Sequence, residues 1–202
     1  MNLRSFITIG MVSAALSAIV SCGNKTQSIS DDGDSVDISN IIPQDSTIFG
    51  ICCEGTGMNT VQLLTDSGDT LSIDISLARD SDYVFGGLMA GDRLAILATV
   101  DKKSATKVIN ISTLLGDWVM PNPLDGSSIQ GISLKEGGIA ESINQGSIVY
   151  KTWKIEYGHL ALTSSREIEM SEEETTLYDF VSLGADSLVY RDAEDDYKYS
   201  RR

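Results

Sequence analysis

The chain has 202 residues, of which 29 are Asp or Glu and 15 are Lys or Arg, so its formal net charge is −14 at pH 7. Nucleic-acid binding requires a basic surface, and this charge argues against it. Three cysteines and one histidine leave too few soft or imidazole ligands for a zinc-type cluster, so we expect neither a metal site nor a cofactor.

Residues 1–21 are predicted to be a signal peptide. Arg4 is followed by apolar or small residues from Ser5 through Ser21, which is the pattern of a short positive region and an apolar region. A transmembrane helix is the alternative for an apolar run of this length. In Ile19-Val20-Ser21-Cys22, however, an aliphatic residue stands three positions before a cysteine, and this resembles the lipobox of bacterial lipoproteins. The resemblance implies that Cys22 carries lipid and anchors the protein to a membrane.

Residues 22–45 are predicted to be a lipidated, disordered tether. The segment is rich in Ser, Asp, Asn and Gly, which is typical of a solvated spacer. Its acidic run, Asp31-Asp32-Gly33-Asp34, suggests a calcium loop of the EF-hand type. That loop needs a glutamate at its twelfth position, and none stands there.

Residues 46–112 are predicted to form a small barrel of short strands. Leu71, Ile73 and Ile75 alternate with polar residues, and the run Leu94–Val100 is apolar on both faces. The entry Gly91-Asp92-Arg93-Leu94 resembles that of a long strand in an OB-type barrel. The adjacent pair Cys52 and Cys53 is interpreted as two small buried or half-buried residues, with a vicinal disulfide as the alternative.

Residues 113–192 are predicted to form a second barrel. The motifs, in chain order, are Gly116-Asp117-Trp118, Gly131-Ile132-Ser133-Leu134, Gly137-Gly138-Ile139-Ala140, Tyr150-Lys151-Thr152-Trp153, Leu160-Ala161-Leu162-Thr163 and Asp186-Ser187-Leu188-Val189. Over about residues 113–191 they resemble the lipocalin-like domain of Bacteroidetes lipoproteins. Lipocalins share the opening Gly-x-Trp, so the resemblance implies that Trp118 closes one barrel end.

The residue pattern alone also predicts strands here. Val149, Trp153, Ile155 and Tyr157 are placed on one strand face, and Tyr157-Gly158-His159-Leu160 is predicted to be a tight reversal. Residues 193–202 are interpreted as a charged, frayed tail. The predicted fold class is therefore all-β, with two small antiparallel β-barrels, OB-like and then lipocalin-like, after the signal peptide and tether.

Familiar catalytic arrangements are missing from the sequence. His159 is alone in a predicted hairpin, and the acidic residues of the second half lie in predicted turns or charge runs. A barrel of about eight strands either fills its interior with side chains or holds a small apolar ligand. The candidate lining residues are aromatic: Trp118, Tyr150, Trp153, Tyr157, Tyr178 and Phe180.

The sequence therefore favours a non-enzymatic envelope lipoprotein, anchored in the outer membrane through lipid on Cys22. We expect it to face the periplasm, with surface exposure as the alternative, and to bind a small apolar ligand or an envelope protein. A second hypothesis is a sensor or assembly factor similar in layout to NlpE-type lipoproteins, although the paired-cysteine metal motif of that family is not matched. A carboxylate-dependent hydrolase is the third.

Overall fold

The structure is a computed structural model that describes residues 45–124, 126–166 and 172–202. The predicted signal peptide, Cys22 and the predicted tether up to residue 44 lie outside the described residues. Within those three ranges, no helix has both the length and the apolar character needed to cross a membrane. The described residues all belong to one unit, which runs from residue 43 to residue 202.

The first half of the described chain forms a six-stranded sheet. Its strands are β1 (Thr47–Cys52), β2 (Thr60–Thr65), β3 (Thr70–Asp74), β4 (Val84–Phe85), β5 (Arg93–Ala98) and β6 (Ala105–Asn110). Helix α1 (Ser76–Asp80) follows β3, and helix α2 (Ile111–Leu114) follows β6. The strand order is β3-β2-β1-β5-β6-β4, and all neighbours are antiparallel except β4, which is parallel to β6.

Five of these strands curl in the manner of the OB-like barrel that the sequence predicted. A parallel bridge joins Asp74, at the end of β3, to Ser104, just before β6, and the backbone N–H of Asp74 donates to Lys103 at 2.8 Å. An OB fold is a five-stranded, partly open barrel, and this contact brings together β3 and β6, which lie at opposite edges of the five strands. The two-residue strand β4 was not predicted, because such a short segment shows no periodicity.

The sheet has its own apolar core. Ile73 and Ile75, which the alternating pattern placed on one face, are fully buried together with Val61, Leu63 and Ile96. Cys52 is buried and Cys53 is half-buried, and both are free thiols. The interpretation of this pair as small packing residues therefore fits the structure.

The second half of the chain forms a closed antiparallel barrel of eight strands. They are β7 (Gly116–Pro121), β8 (Ile129–Lys135), β9 (Ile139–Ile143), β10 (Ile148–Glu156), β11 (His159–Arg166), β12 (Glu174–Leu183), β13 (Ser187–Arg191) and β14 (Asp196–Arg201). Each strand pairs with the next along the chain, and β14 pairs with β7 to close the ring. The predicted all-β class and the C-terminal barrel are confirmed.

The last strand corrects one prediction. Residues 193–202 were expected to be a frayed tail, but β14 pairs with β13 over five residue pairs and with β7 at Ser200 and Arg201. The side chains alternate: Tyr197 and Tyr199 point into the barrel, while their charged and polar neighbours point to solvent. The charged side chains of Asp196 and Lys198 lie on the outer face of this strand.

Strand β10 also differs from the prediction. Its pairing with β11 shifts between Tyr150 and Thr152, and this bulge makes Tyr150, rather than Val149, share the inner face with Trp153 and Ile155. Tyr157 lies beyond the strand, in the two-residue turn with Gly158. The φ angles there are 51° and 72°, the positive pair that type I′ hairpins require, so a tight reversal does form at this point.

Candidate functional site

The barrel has two chemically different ends. At the closed end, where β8, β10, β12 and β14 finish, the first sheet packs against the barrel. Phe85 of β4 contacts Phe180 with ring centroids 5.5 Å apart, and the N–H of Gly86 donates to the carbonyl of Leu183 at 3.0 Å. At the open end, β7, β9, β11 and β13 finish.

Trp118 and Arg201 seal the closed end. Trp118 is fully buried, and its indole Nε1 donates to the carbonyl of Leu114 at 2.7 Å. The guanidinium of Arg201 lies 4.2 Å from the centroid of the Trp118 ring, a cation–π contact. It also donates to three backbone carbonyl groups, those of Thr113, Leu115 and Ala185. Trp118 therefore lies where the resemblance placed it.

The glycine of the Gly-x-Trp motif has a physical role in this seal. Gly116 has a φ of +134°, and a Cβ built on it would collide with the guanidinium of Arg201. A residue with a side chain would therefore be strained and would displace the arginine.

Two stacked tyrosines fill the middle of the barrel. The rings of Tyr190 and Tyr199 are 5.4 Å apart, and the hydroxyl of Tyr190 donates to that of Tyr199 at 3.0 Å. Tyr150 packs against the same barrel core as Tyr190 and Tyr199. Burial raises the pKa of all three phenols, so they are neutral at physiological pH. Tyrosine side chains therefore fill the middle of the barrel.

Nearer the open end stand two half-buried tyrosines, Tyr178 and Tyr197, which we call the mouth tyrosines. Their ring centroids are 5.7 Å apart and their planes are perpendicular, at 90°. Tyr178 also meets Tyr190 edge to face, with centroids 4.9 Å apart. The hydroxyl of Tyr197 donates to Oδ2 of Asp192 at 2.8 Å. Aromatic faces therefore line the mouth from two directions.

A cavity of about 360 Å³ lies beside Tyr178, one of the two mouth tyrosines, against β10, β11 and β12. Its lining residues are Ile148, Ser164, Ser165, Arg166, Glu172, Glu174, Thr176 and Tyr178. Burial raises the pKa of Tyr178, and the nearby carboxylates of Asp192 and Glu174 raise it further. Negative charge is thus close to an aromatic ring at this position.

The structure does not bring the six aromatic candidates together. Tyr150 is in the barrel interior beside Tyr190, whereas Trp153 and Phe180 are buried towards the closed end. Tyr157 is 37% exposed in its turn and does not line the barrel, because it lies past the last residue of β10. Besides Tyr178, the residues that form the mouth and the layer below it are Tyr190, Tyr197 and Tyr199, none of which was a candidate.

The lone histidine lies near the closed end and contacts Asp179, which together with Lys107 lines a cleft of about 380 Å³. Nδ1 of His159 is 2.9 Å from Oδ1 of Asp179, and Nζ of Lys107 is 3.8 Å from the same oxygen. Burial lowers the pKa of Lys107, and Asp179 opposes this effect. Among the described residues, no group of three or more His, Cys, Asp or Glu side chains is placed to hold a metal ion.

A closed antiparallel barrel with a tryptophan–arginine seal at one end and an aromatic mouth at the other defines the class of this domain. Residues 110–202 match the lipocalin-like family. The chain is also similar to a lipocalin-like protein from Bacteroides thetaiotaomicron of known crystal structure: the two are 34% identical, the match covers 44% of this chain and 96% of that one, and the TM-score is 0.40.

No curated protein matched the sequence. Through its C-terminal domain the chain belongs to the lipocalin-like family, and the predicted resemblance to the lipocalin-like domains of Bacteroidetes is confirmed.

Proposed function

We propose that this protein binds a small molecule at the open end of its lipocalin-like barrel. The observation that carries the proposal is the cavity of about 360 Å³ beside Tyr178. Small-molecule sites are concave, with volumes of about 300 to 1,000 Å³, and combine apolar or aromatic walls with a few polar groups. Ile148 and Tyr178 supply the apolar wall here, and Ser164 and Thr176 supply hydroxyl groups.

The ligand sits in a shallow position. Tyr190 is 1% exposed and Tyr199 is 4% exposed, so their stacked rings form a floor that a ligand does not pass. A bound molecule therefore contacts Tyr178 and the inner wall of β10 to β12, and part of it stays in contact with solvent. This depth favours a compact molecule over a long acyl chain.

The neutral fluorescent dye N-phenyl-1-naphthylamine tests this proposal. Thr176 is half-buried and lines the cavity, whereas its neighbour Thr175 is exposed on the outer face of β12. A tryptophan at position 176 fills the cavity, so Thr176→Trp is expected to weaken dye binding about tenfold or more. Thr175→Trp is the matched control and should bind as the wild type does. Equal dye binding by both variants, or none by the wild type, would overturn the proposal.

We infer a binding role rather than catalysis from the groups gathered at the mouth. They are phenol rings, hydroxyls and carboxylates, which recognise a ligand through contact and charge. The lipocalin-like fold is typically used for binding, and the mouth groups suit that use.

We further propose that lipid on Cys22 holds the protein in the outer membrane, facing the periplasm. The support is the sequence Ile19-Val20-Ser21-Cys22 and its resemblance to a lipobox. Membrane fractions of cells that express the full chain should contain the wild type and lack Cys22→Ser. Cys53→Ser is the control, because this thiol lies in the folded part and should leave fractionation unchanged. Membrane association that survives in Cys22→Ser would overturn the anchor.

A further inference from the structure

We propose that the ligand of the barrel mouth is an organic cation with an apolar or aromatic body. This inference rests on the proposed function and names the chemical class that the same site takes. It is carried by two independent features of the mouth: the arrangement of aromatic rings and the sign of the charge beside them.

The rings form a corner of aromatic walls. The ring of Tyr178, which lines the cavity, stands at 90° to the ring of Tyr197 and at 61° to that of Tyr190. A cation is attracted to the negative face of an aromatic ring when it lies within about 6 Å of the centroid, and several rings around one space strengthen the attraction. An aromatic corner of this kind is suited to an ammonium group with organic substituents.

Asp192 holds a negative charge at the edge of this corner. Its Oδ1 accepts from the backbone N–H groups of Asp195 and Glu194, both at 2.9 Å, and its Oδ2 accepts from the hydroxyl of Tyr197. These bonds lower the pKa of the Asp192 carboxyl, so the group is ionised at neutral pH. They also fix its orientation, so the charge is already in place before a ligand arrives.

The remaining charges of the mouth have the same overall sign. The cavity wall carries the carboxylates of Glu172 and Glu174 and one guanidinium, that of Arg166. With Asp192 this makes, among the described residues, three negative groups and one positive group, a net of −2. The basic Arg191 nearby is paired with Asp196 at 3.1 Å. An anionic ligand such as a carboxylate or a sulfonate is therefore repelled, whereas a cation is attracted.

The other groups that line the cavity indicate that the ligand also has an apolar part. Ile148 and the ring of Tyr178 border the cavity, and a strongly hydrated metal ion would leave that surface unused. A substituted ammonium group is large and weakly hydrated, so it contacts rings and aliphatic side chains without a large desolvation cost. The site therefore favours a ligand that has both a positive charge and an apolar surface.

Two probes of equal size and opposite charge test the proposal: phenyltrimethylammonium and benzenesulfonate. Each is titrated into the folded protein at low ionic strength, with binding followed by calorimetry and by backbone amide shifts in two-dimensional NMR. We expect phenyltrimethylammonium to bind about tenfold more tightly than benzenesulfonate and to shift amides of β12 to β14.

Single substitutions test whether the mouth residues cause the preference for phenyltrimethylammonium over benzenesulfonate. Tyr178→Leu keeps an apolar side chain but removes the aromatic face, and should weaken phenyltrimethylammonium binding about tenfold; Tyr178→Phe should weaken it less. Asp192→Asn should also weaken it, and Asp192→Lys should shift the preference towards benzenesulfonate. Asp186→Asn, in the turn between β12 and β13 at the closed end, is the matched control and should leave both affinities unchanged. Thermal unfolding of each variant confirms that it is folded.

The outcomes separate this inference from the proposed function. Equal binding of both probes, or tighter binding of benzenesulfonate, combined with Thr176-dependent dye binding, overturns the cation proposal and leaves the mouth as a ligand site. Failure of the dye to bind overturns both. A charge preference that persists in Asp192→Lys overturns the role given to Asp192.

Discussion

The closed and open ends of the barrel use the same kinds of side chain in opposite ways. At the closed end, an aromatic ring and a guanidinium face each other, and their N–H groups donate to backbone carbonyls of the segment that enters the barrel. At the open end, the two mouth tyrosines are half-buried and contact each other, and the hydroxyl of Tyr197 donates to the carboxylate of Asp192. The cation–π pair stabilises the fold at the closed end, whereas at the mouth tyrosines the described residues form no cation–π contact.

The first prediction is that high pH lowers the stability of the protein because it ionises the phenols buried inside the barrel. Burial raises the pKa of Tyr150, Tyr190 and Tyr199 above the ordinary value of about 10. Their stabilising effect is complete below about pH 10, where the unfolded chain is also protonated, and is lost as the pH rises towards the raised folded values. Each phenol that ionises only on unfolding lowers the free energy of unfolding by on the order of 1 kcal/mol per pH unit.

The measurement is urea unfolding between about pH 8 and pH 12, followed by tryptophan fluorescence and by the absorbance of tyrosinate. The double variant Tyr190→Phe, Tyr199→Phe should show a flatter dependence on pH. Ionisation of every tyrosine near pH 10 without loss of the fold would contradict the prediction.

The second prediction concerns the closed end. Trp118 is fully buried, so Trp118→Ala leaves a large cavity and should lower the free energy of unfolding by about 3–5 kcal/mol. Val119→Ala, at the half-buried next position of β7, is the control and should cost less than about 1.5 kcal/mol. Equal losses in the two variants, measured by urea unfolding, would show that Trp118 does not seal the barrel.

The third prediction separates stability from binding. Arg201→Met removes the hydrogen bonds to three carbonyls and the contact with Trp118, and should cost about 2 kcal/mol in the free energy of unfolding. The affinity for N-phenyl-1-naphthylamine at the other end should not change. Arg202→Met, whose side chain is exposed, is the control for charge. Altered dye binding with unchanged stability would reverse the roles assigned to the two ends.

The smallest expected effect is that of one buried hydroxyl. Tyr190→Phe should cost about 1 kcal/mol in the free energy of unfolding, because the hydroxyl of Tyr199 loses its partner. Tyr199→Phe should cost a similar amount. In a double-mutant cycle, the double variant should lose less than the sum, since both changes remove the same bond. Additive losses would show that this bond contributes nothing.

The sequence by itself determined the features that depend on neighbouring residues. Alternation of apolar and polar side chains predicted strands such as β3, and the pair Tyr157-Gly158 predicted a reversal, because period-2 patterns and positive φ angles are local properties. The resemblance of Gly116-Asp117-Trp118 to the opening motif of lipocalins implied that Trp118 closes one end of the barrel, and the structure places it there.

Only the tertiary structure decided which charged or aromatic segment faces inward. Asp196–Arg201 reads as a tail until β7, distant in the chain, provides its hydrogen-bonding partner. The bulge in β10 moves Tyr150 to the inner face, which alternation alone does not show. The mouth gathers side chains from β10, β11, β12 and β14 and from the loop after β13, so it forms only when the barrel closes, and closure is a long-range property of the whole chain.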